Sequence, residues 1–112
     1  MYCKVIKTLW EKVKEIEERL QRVKEEREKI EREISSLPEG HIDAKKIGNN
    51  VYYYLRYWED GKLRSKYIGK EGSEIVEKVK LSNELKKRLV LLREEERRLE
   101  RALEKVKNAV DV

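Results

Sequence analysis

Two long runs of heptad spacing constrain this chain more than any other feature. Ile6, Leu9, Val13, Ile16, Leu20, Val23, Ile30, Ile34 and Leu37 alternate steps of three and four, with one charged interruption at Arg27. Leu85, Leu89, Leu92, Leu99, Leu103, Val106 and Val110 repeat the pattern, interrupted at Glu96. Apolar residues every 3.5 positions put a continuous stripe on one side of a helix, which is stable only against a second such stripe. Pro38 and Gly40 end the first run, and Ser73 with acidic residues behind it suits the start of the second helix. The spacing predicts helices over 4–36 and 73–109, folded back on each other because a compact insert, not a long linker, joins them. A register setting Ile34 against Leu85 and Leu9 against Val110 aligns nearly every seam residue. Arg27 and Glu96 then lie one layer apart, either paired across the seam or each reaching for solvent.

The insert reads as a three-stranded meander within 41–69, with strands near 42–47, 51–58 and 62–68. Its turns carry Gly48–Asn49 and Asp60–Gly61. A two-residue Asp60–Gly61 loop pairs Trp58 with Leu63 and mixes polar with apolar side chains on both faces. A three-residue Glu59–Asp60–Gly61 loop pairs Trp58 with Lys62 and separates them. Burial of one face favours the second register. It puts Val51, Tyr53, Leu55, Tyr57, Leu63 and Tyr67 inside, and Tyr52, Tyr54, Arg56, Trp58, Lys62, Arg64 and Lys66 outside. The expected fold is α+β: one domain over 1–112, a long antiparallel two-helix coiled coil with a small three-stranded antiparallel β-sheet at its tip.

The expected outer face alternates aromatic rings with cations. Such a surface suits nucleic acid, because Lys and Arg neutralise phosphates while flat rings stack on bases or lie against sugars. A ribbon of this width also fits the major groove of DNA. The candidate nucleic-acid-binding residues are therefore Tyr52, Tyr54, Arg56, Trp58, Lys62, Arg64 and Lys66, with DNA expected ahead of RNA. Two other readings use the same residues. The rings and cations can merely stabilise an exposed sheet, or they can grip a protein partner in a chaperone-like module. The net charge of +5 adds little, since the insert's own excess of cations matters more than the total.

The stretch LPEG…KKIGNNVYYYLRYWEDGKLRSKYIGK, followed by a charged helix, resembles a family of small, largely archaeal proteins carrying a domain of unknown function, over about residues 37 to 105. That resemblance implies no activity. The ribbon is more loosely similar to the arm-type DNA-binding sheets of phage integrases, which implies that Tyr52, Tyr54, Arg56, Arg64 and Lys66 face DNA. The order of helix, small sheet and helix is similar to the β-type prefoldin subunit in architecture alone.

No catalytic constellation accompanies these elements, and no enzyme activity is expected. His41 stands by itself beside a turn, and GKEGSE lacks the phosphate-loop spacing. The many Glu residues alternate with Lys and Arg at helical spacing, as on solvated, ion-paired faces. A single cysteine, Cys3, excludes an intrachain disulfide, and no Cys/His spacing resembles a metal site, so no cofactor or metal is expected. With charged residues at 46% of the chain and no apolar run of membrane-spanning length, a cytoplasmic location and no membrane partner are expected. The high Lys and Glu content also matches thermophile proteins. Val5, Trp10 and Ala109 beside the seam, and Val90 with Leu91 off it, exceed what two helices can cover. Homo-oligomerisation through the helices is expected from them.

Overall fold

The computed structural model describes residues 8–110. In chain order they form α1 (Leu9–Ser35), β1 (His41–Ile47), β2 (Asn50–Glu59), β3 (Lys62–Lys70) and α2 (Glu74–Val110). The α+β class and the two long antiparallel helices are as expected. Helix α1 begins at Leu9, where Thr8 caps it: its Oγ1 accepts from Glu11 N–H at 3.2 Å and its carbonyl from Lys12 N–H at 3.2 Å, and the expected start at residue 4 lies outside the described residues. Val5, Ile6 and the side chain of Val110, all part of the expected seam or its flank, lie outside the described residues. The described residues divide into two compact units, 8–31 with 88–110, and 32–87.

The first unit is the coiled coil. Val13, Leu20 and Leu103 are buried together, with Ile16, Leu99 and Val106 packed on them. Interhelical ion pairs flank this seam in two sets. Arg19–Glu95 and Glu26–Arg88 recur at a spacing of seven on each helix, as do Lys24–Glu100 and Glu31–Arg93. Those two sets lie symmetrically about a register in which Val13 faces Val106, Ile16 faces Leu103 and Leu20 faces Leu99, the one the apolar spacing predicts. Where the seam would place Arg27 and Glu96, the two meet: Arg27 Nε donates to Glu96 Oε2 at 2.6 Å, and Nη1 to both Glu31 carboxylate oxygens at 3.2 Å.

The second unit holds the sheet, in the order β1-β2-β3, antiparallel throughout. One face rests on the first turns of α2, where Ile68, Val76 and Val79 are buried and Ile42, Tyr53 and Leu55 pack against them. Ser73 caps α2 as expected, its Oγ accepting from Val76 N–H at 3.3 Å and its carbonyl from Glu77 N–H at 3.0 Å. Gly69 permits this close approach, since a Cβ there would lie 2.6 Å from Ser73 Oγ. Further along α2 the Ser82 hydroxyl is fully buried with no hydrogen-bond partner among the described residues, which costs about 1–3 kcal/mol. Among the described residues no helix is long and apolar enough to cross a membrane.

Candidate nucleic-acid interface

The turn at Asp60–Gly61 decides which side chains share a face, and it corrects the expected register. Glu59 pairs with Lys62 and Trp58 with Leu63, so the loop has two residues. Asp60 at φ 51 and Gly61 at φ 74 are both left-handed, as a type I′ turn demands. That turn matches the right-handed twist of the flanking strands, and its fit outweighs the tidier sorting of polar from apolar residues that a three-residue loop offers.

Paired residues project from the same side of a sheet. Tyr52, Tyr54, Arg56 and Trp58 do share one face, as expected. Lys62, Arg64 and Lys66 do not join them: they pair with Glu59, Tyr57 and Leu55 and emerge on the α2 side, at the outer edge of β3. Their places on the first face are taken by Leu63, Ser65 and Tyr67. A β-bulge between Tyr53 and Tyr54 then shifts the register, pairing Tyr53 with Gly69 and Tyr52 with Lys70.

The face turned away from α2 is consequently aromatic at its centre and cationic at its margins. Tyr67 packs edge-on against Tyr54, with ring centroids 5.5 Å apart at 61°, and lies 6.2 Å from Tyr52. Lys45 Nζ stands 4.9 Å above the Tyr54 ring and Lys70 Nζ 5.6 Å above that of Tyr52. Arg56 Nε lies 3.5 Å from Asp43 Oδ2, an exposed pair worth little in stability. Near the turn Trp58 is 73% exposed beside Leu63 at 54%. Lys45, Tyr67 and Lys70 were not among the residues expected from the sequence. The strong type I′ preference of Asp-Gly was the signal for Tyr67, since the two-residue loop sets it opposite Tyr54.

Tyr53 faces the helix and fastens the sheet to it. Its hydroxyl donates to Glu71 Oε2, Lys80 Nζ donates to Glu71 Oε1 at 2.9 Å, and the same ammonium lies 4.9 Å over the Tyr53 ring. The Tyr53 hydrogen bond, with Lys80 behind it, holds the Glu71 carboxyl below the usual carboxylate range. The bond to Glu71 raises the Tyr53 phenol and the Lys80 ammonium above their ordinary values. The signs follow from linkage. Glu71's contribution is present above its unfolded pKa and lost as pH falls through its depressed folded value. The contributions of Tyr53 and Lys80 are complete below their unfolded values and lost as pH rises through the raised ones. Tyr53→Phe should therefore flatten the acid limb of stability, below the ordinary carboxylate range, in urea titrations across pH. An acid limb as steep in Tyr53→Phe as in the parent would mean that Tyr53 does not clamp Glu71.

Among the described residues no group of three or more His, Cys, Asp or Glu is placed to hold a metal ion. No curated protein and no solved structure matches the chain. A family model does, over residues 13–78, which takes in most of α1, the whole sheet and the first turn of α2. The match thus begins well before residue 37, where the resemblance in sequence was expected to start, and ends well before residue 105. Since it spans more than half of the chain, including every strand, this protein belongs to the family described as Domain of unknown function (DUF6788).

Proposed function

We propose that the sheet face turned away from α2 binds nucleic acid without catalysis, with single-stranded DNA the expected partner ahead of RNA. The observation that carries this reading is the cluster of Tyr52, Tyr54 and Tyr67 on that face, with Lys45, Arg56 and Lys70 around it. Rings on an open sheet offer successive stacking surfaces, and bases are free to use them only where they are not already stacked in a duplex. Lys45 and Lys70 would move from the ring faces to the phosphates as a base arrives. Lys62, Arg64 and Lys66, on the other side of β3, would add attraction at the edge without touching the stacked bases.

An anisotropy titration against single-stranded DNA, RNA and duplex at two salt concentrations tests this reading. Three phosphate contacts give a log–log salt slope of about −2 on a single strand. Arg56→Ala should reduce that slope by a little under one unit, with a smaller effect from Arg64→Ala. Trp58→Ala and Tyr54→Ala should each weaken binding by about 1–3 kcal/mol with the slope almost unchanged. No binding at low salt, or binding indifferent to both aromatic changes, would end the proposal.

One observation favours a second reading, a protein-binding surface: Trp58 and Leu63 are cross-strand neighbours and both stand mostly in solvent. That reading expects a partner whose binding barely changes with salt. Association of the chain through its helices is a further part of the proposal, supported by Leu9 at 46% and Trp10 at 69% exposure. Trp10→Glu should abolish that contact.

A further inference from the structure

Among the described residues the sheet has two unpaired edge strands, and their chemistry differs. The β3 edge carries Lys62, Arg64, Lys66 and Lys70, a row of like charges of the kind that discourages pairing with another strand. The β1 edge, His41–Ile47, mixes one acid, two Lys and three apolar residues, with Ile47 62% exposed.

Which β1 backbone groups point outward follows from its hairpin. The two-residue Gly48–Asn49 loop closes on Ile47 and Asn50, a hydrogen-bonded pair, and hydrogen-bonded pairs alternate along an antiparallel ladder. Ile47, Lys45, Asp43 and His41 therefore turn their N–H and C=O groups toward β2. Ile42, Ala44 and Lys46 turn theirs outward.

Antiparallel pairing of β1 with itself must match outward residues to outward residues, which leaves few registers. Setting Ile42 opposite Ala44 puts two Asp43 side chains face to face. Setting Ala44 opposite Lys46 does the same to two Lys45, and setting Lys46 on itself opposes two ammonium groups. Setting Ile42 on itself leaves Lys45 and Lys46 beyond the paired segment. The register with Ala44 on the two-fold axis uses the whole strand. It places Ile42 opposite Lys46 and Ile47 opposite His41, and it brings Asp43 opposite Lys45 of the second copy, once in each direction. Opposite charges directly across strands stabilise and like charges destabilise.

We propose that β1 is a docking edge for a second copy of this chain, paired about Ala44 through two Asp43–Lys45 contacts. The symmetry axis is perpendicular to the sheet, so the two aromatic faces lie on the same side and join into one six-stranded surface. Such a surface would engage a longer strand than either copy alone. The contact itself needs no nucleic acid, so its failure would leave the nucleic-acid reading standing, and the converse.

The test uses the full chain carrying Trp10→Glu, which removes association through the helices. Sedimentation from about 1 µM to about 1 mM should show a concentration-dependent dimer, a seven-residue strand contact being at the small end of interfaces. Ala44→Pro deletes an outward N–H that β1's own hairpin does not use, and it should give a monomer with an unchanged circular dichroism spectrum. Asp43→Lys and Lys45→Asp should each weaken the dimer roughly tenfold. The double exchange Asp43→Lys with Lys45→Asp should restore it to within a few-fold. In the unmutated edge, the amides of Ile42, Ala44 and Lys46 should gain protection from hydrogen exchange with rising concentration, while those of Asp43 and Lys45 are protected throughout. A monomer at every concentration, a dimer that survives Ala44→Pro, or a charge exchange that rescues nothing overturns the proposal.

Discussion

Arg27→Met should destabilise the coiled coil by about 1–3 kcal/mol, and Arg27→Met with Glu96→Met should recover most or all of that loss. Arg27 and Glu96 interrupt two otherwise apolar seams, and their side chains are only 21% and 15% exposed. Removing one member of a buried pair strands the other charge away from water, at about 3–5 kcal/mol when burial is complete and less here, where both retain some solvent. Replacing both with apolar residues of similar volume removes the desolvation penalty as well as the attraction. The two single changes should not be equal. Arg27 without Glu96 still has Glu31 at 3.2 Å, so Glu96→Met should be the milder of the two. Urea unfolding of the two single variants and the double variant measures this directly. An apolar double variant also has uninterrupted seams, which slide past each other by a heptad more easily. Cross-linking that detects a second register in the double variant, and only there, would show that the pair serves to set alignment. Equal losses in all three variants would mean that the pair is a net source of stability.

Gly40→Ala should cost about 2–5 kcal/mol and unfold the sheet ahead of the coiled coil. Gly40 has φ 141, a region that side chains rarely adopt, with a strain of roughly 1–3 kcal/mol for any other residue. A Cβ there would also lie 2.5 Å from Leu55 Cδ1 and 2.9 Å from the Arg56 carbonyl oxygen. The leucine methyl can yield, but the backbone oxygen belongs to the ladder and cannot, so overpacking adds about 1–3 kcal/mol. Gly61→Ala is the control. It has a left-handed φ of 74 but nothing within 4 Å of the added methyl, and it should lose only about 1–2 kcal/mol. Hydrogen exchange should report the difference as lost protection in β1, β2 and β3 with the seam amides of α1 intact. If Gly40→Ala and Gly61→Ala are equally mild, the close approach at Leu55 is not a constraint.

Much of this molecule could be read from its residues because some of its signals accumulate. A heptad pattern repeats over many turns, so a charged residue at Arg27 or Glu96 interrupts it without erasing it, and two such patterns predict each other's register. Ser73 and the glycines of the two hairpin loops are local signals of the same strength, since cap and turn geometry depends on a few neighbouring φ values. The faces of the sheet are different. Side chains alternate every residue, so lengthening one loop by a single position carries Lys62, Arg64 and Lys66 from one face to the other. Sorting by polarity favoured one loop and the Asp60–Gly61 turn favoured the other, and a one-dimensional pattern does not weigh them.

The packed structure weighs them through contacts. Only Ile68 of β3 needs burial against Val76 and Val79, and the two-residue turn already delivers it to that side. Tyr67 loses little on this face, because its ring packs on Tyr54 and Tyr52 while the residue stays 49% exposed. By itself, then, the sequence determined the two helices, their seam, the Ser73 cap and the three strands. Which cations accompany the aromatic face was decided only in the folded sheet, where the Asp60–Gly61 turn and the burial of Ile68 agree on one register, because a difference of one residue in loop length exchanges the faces.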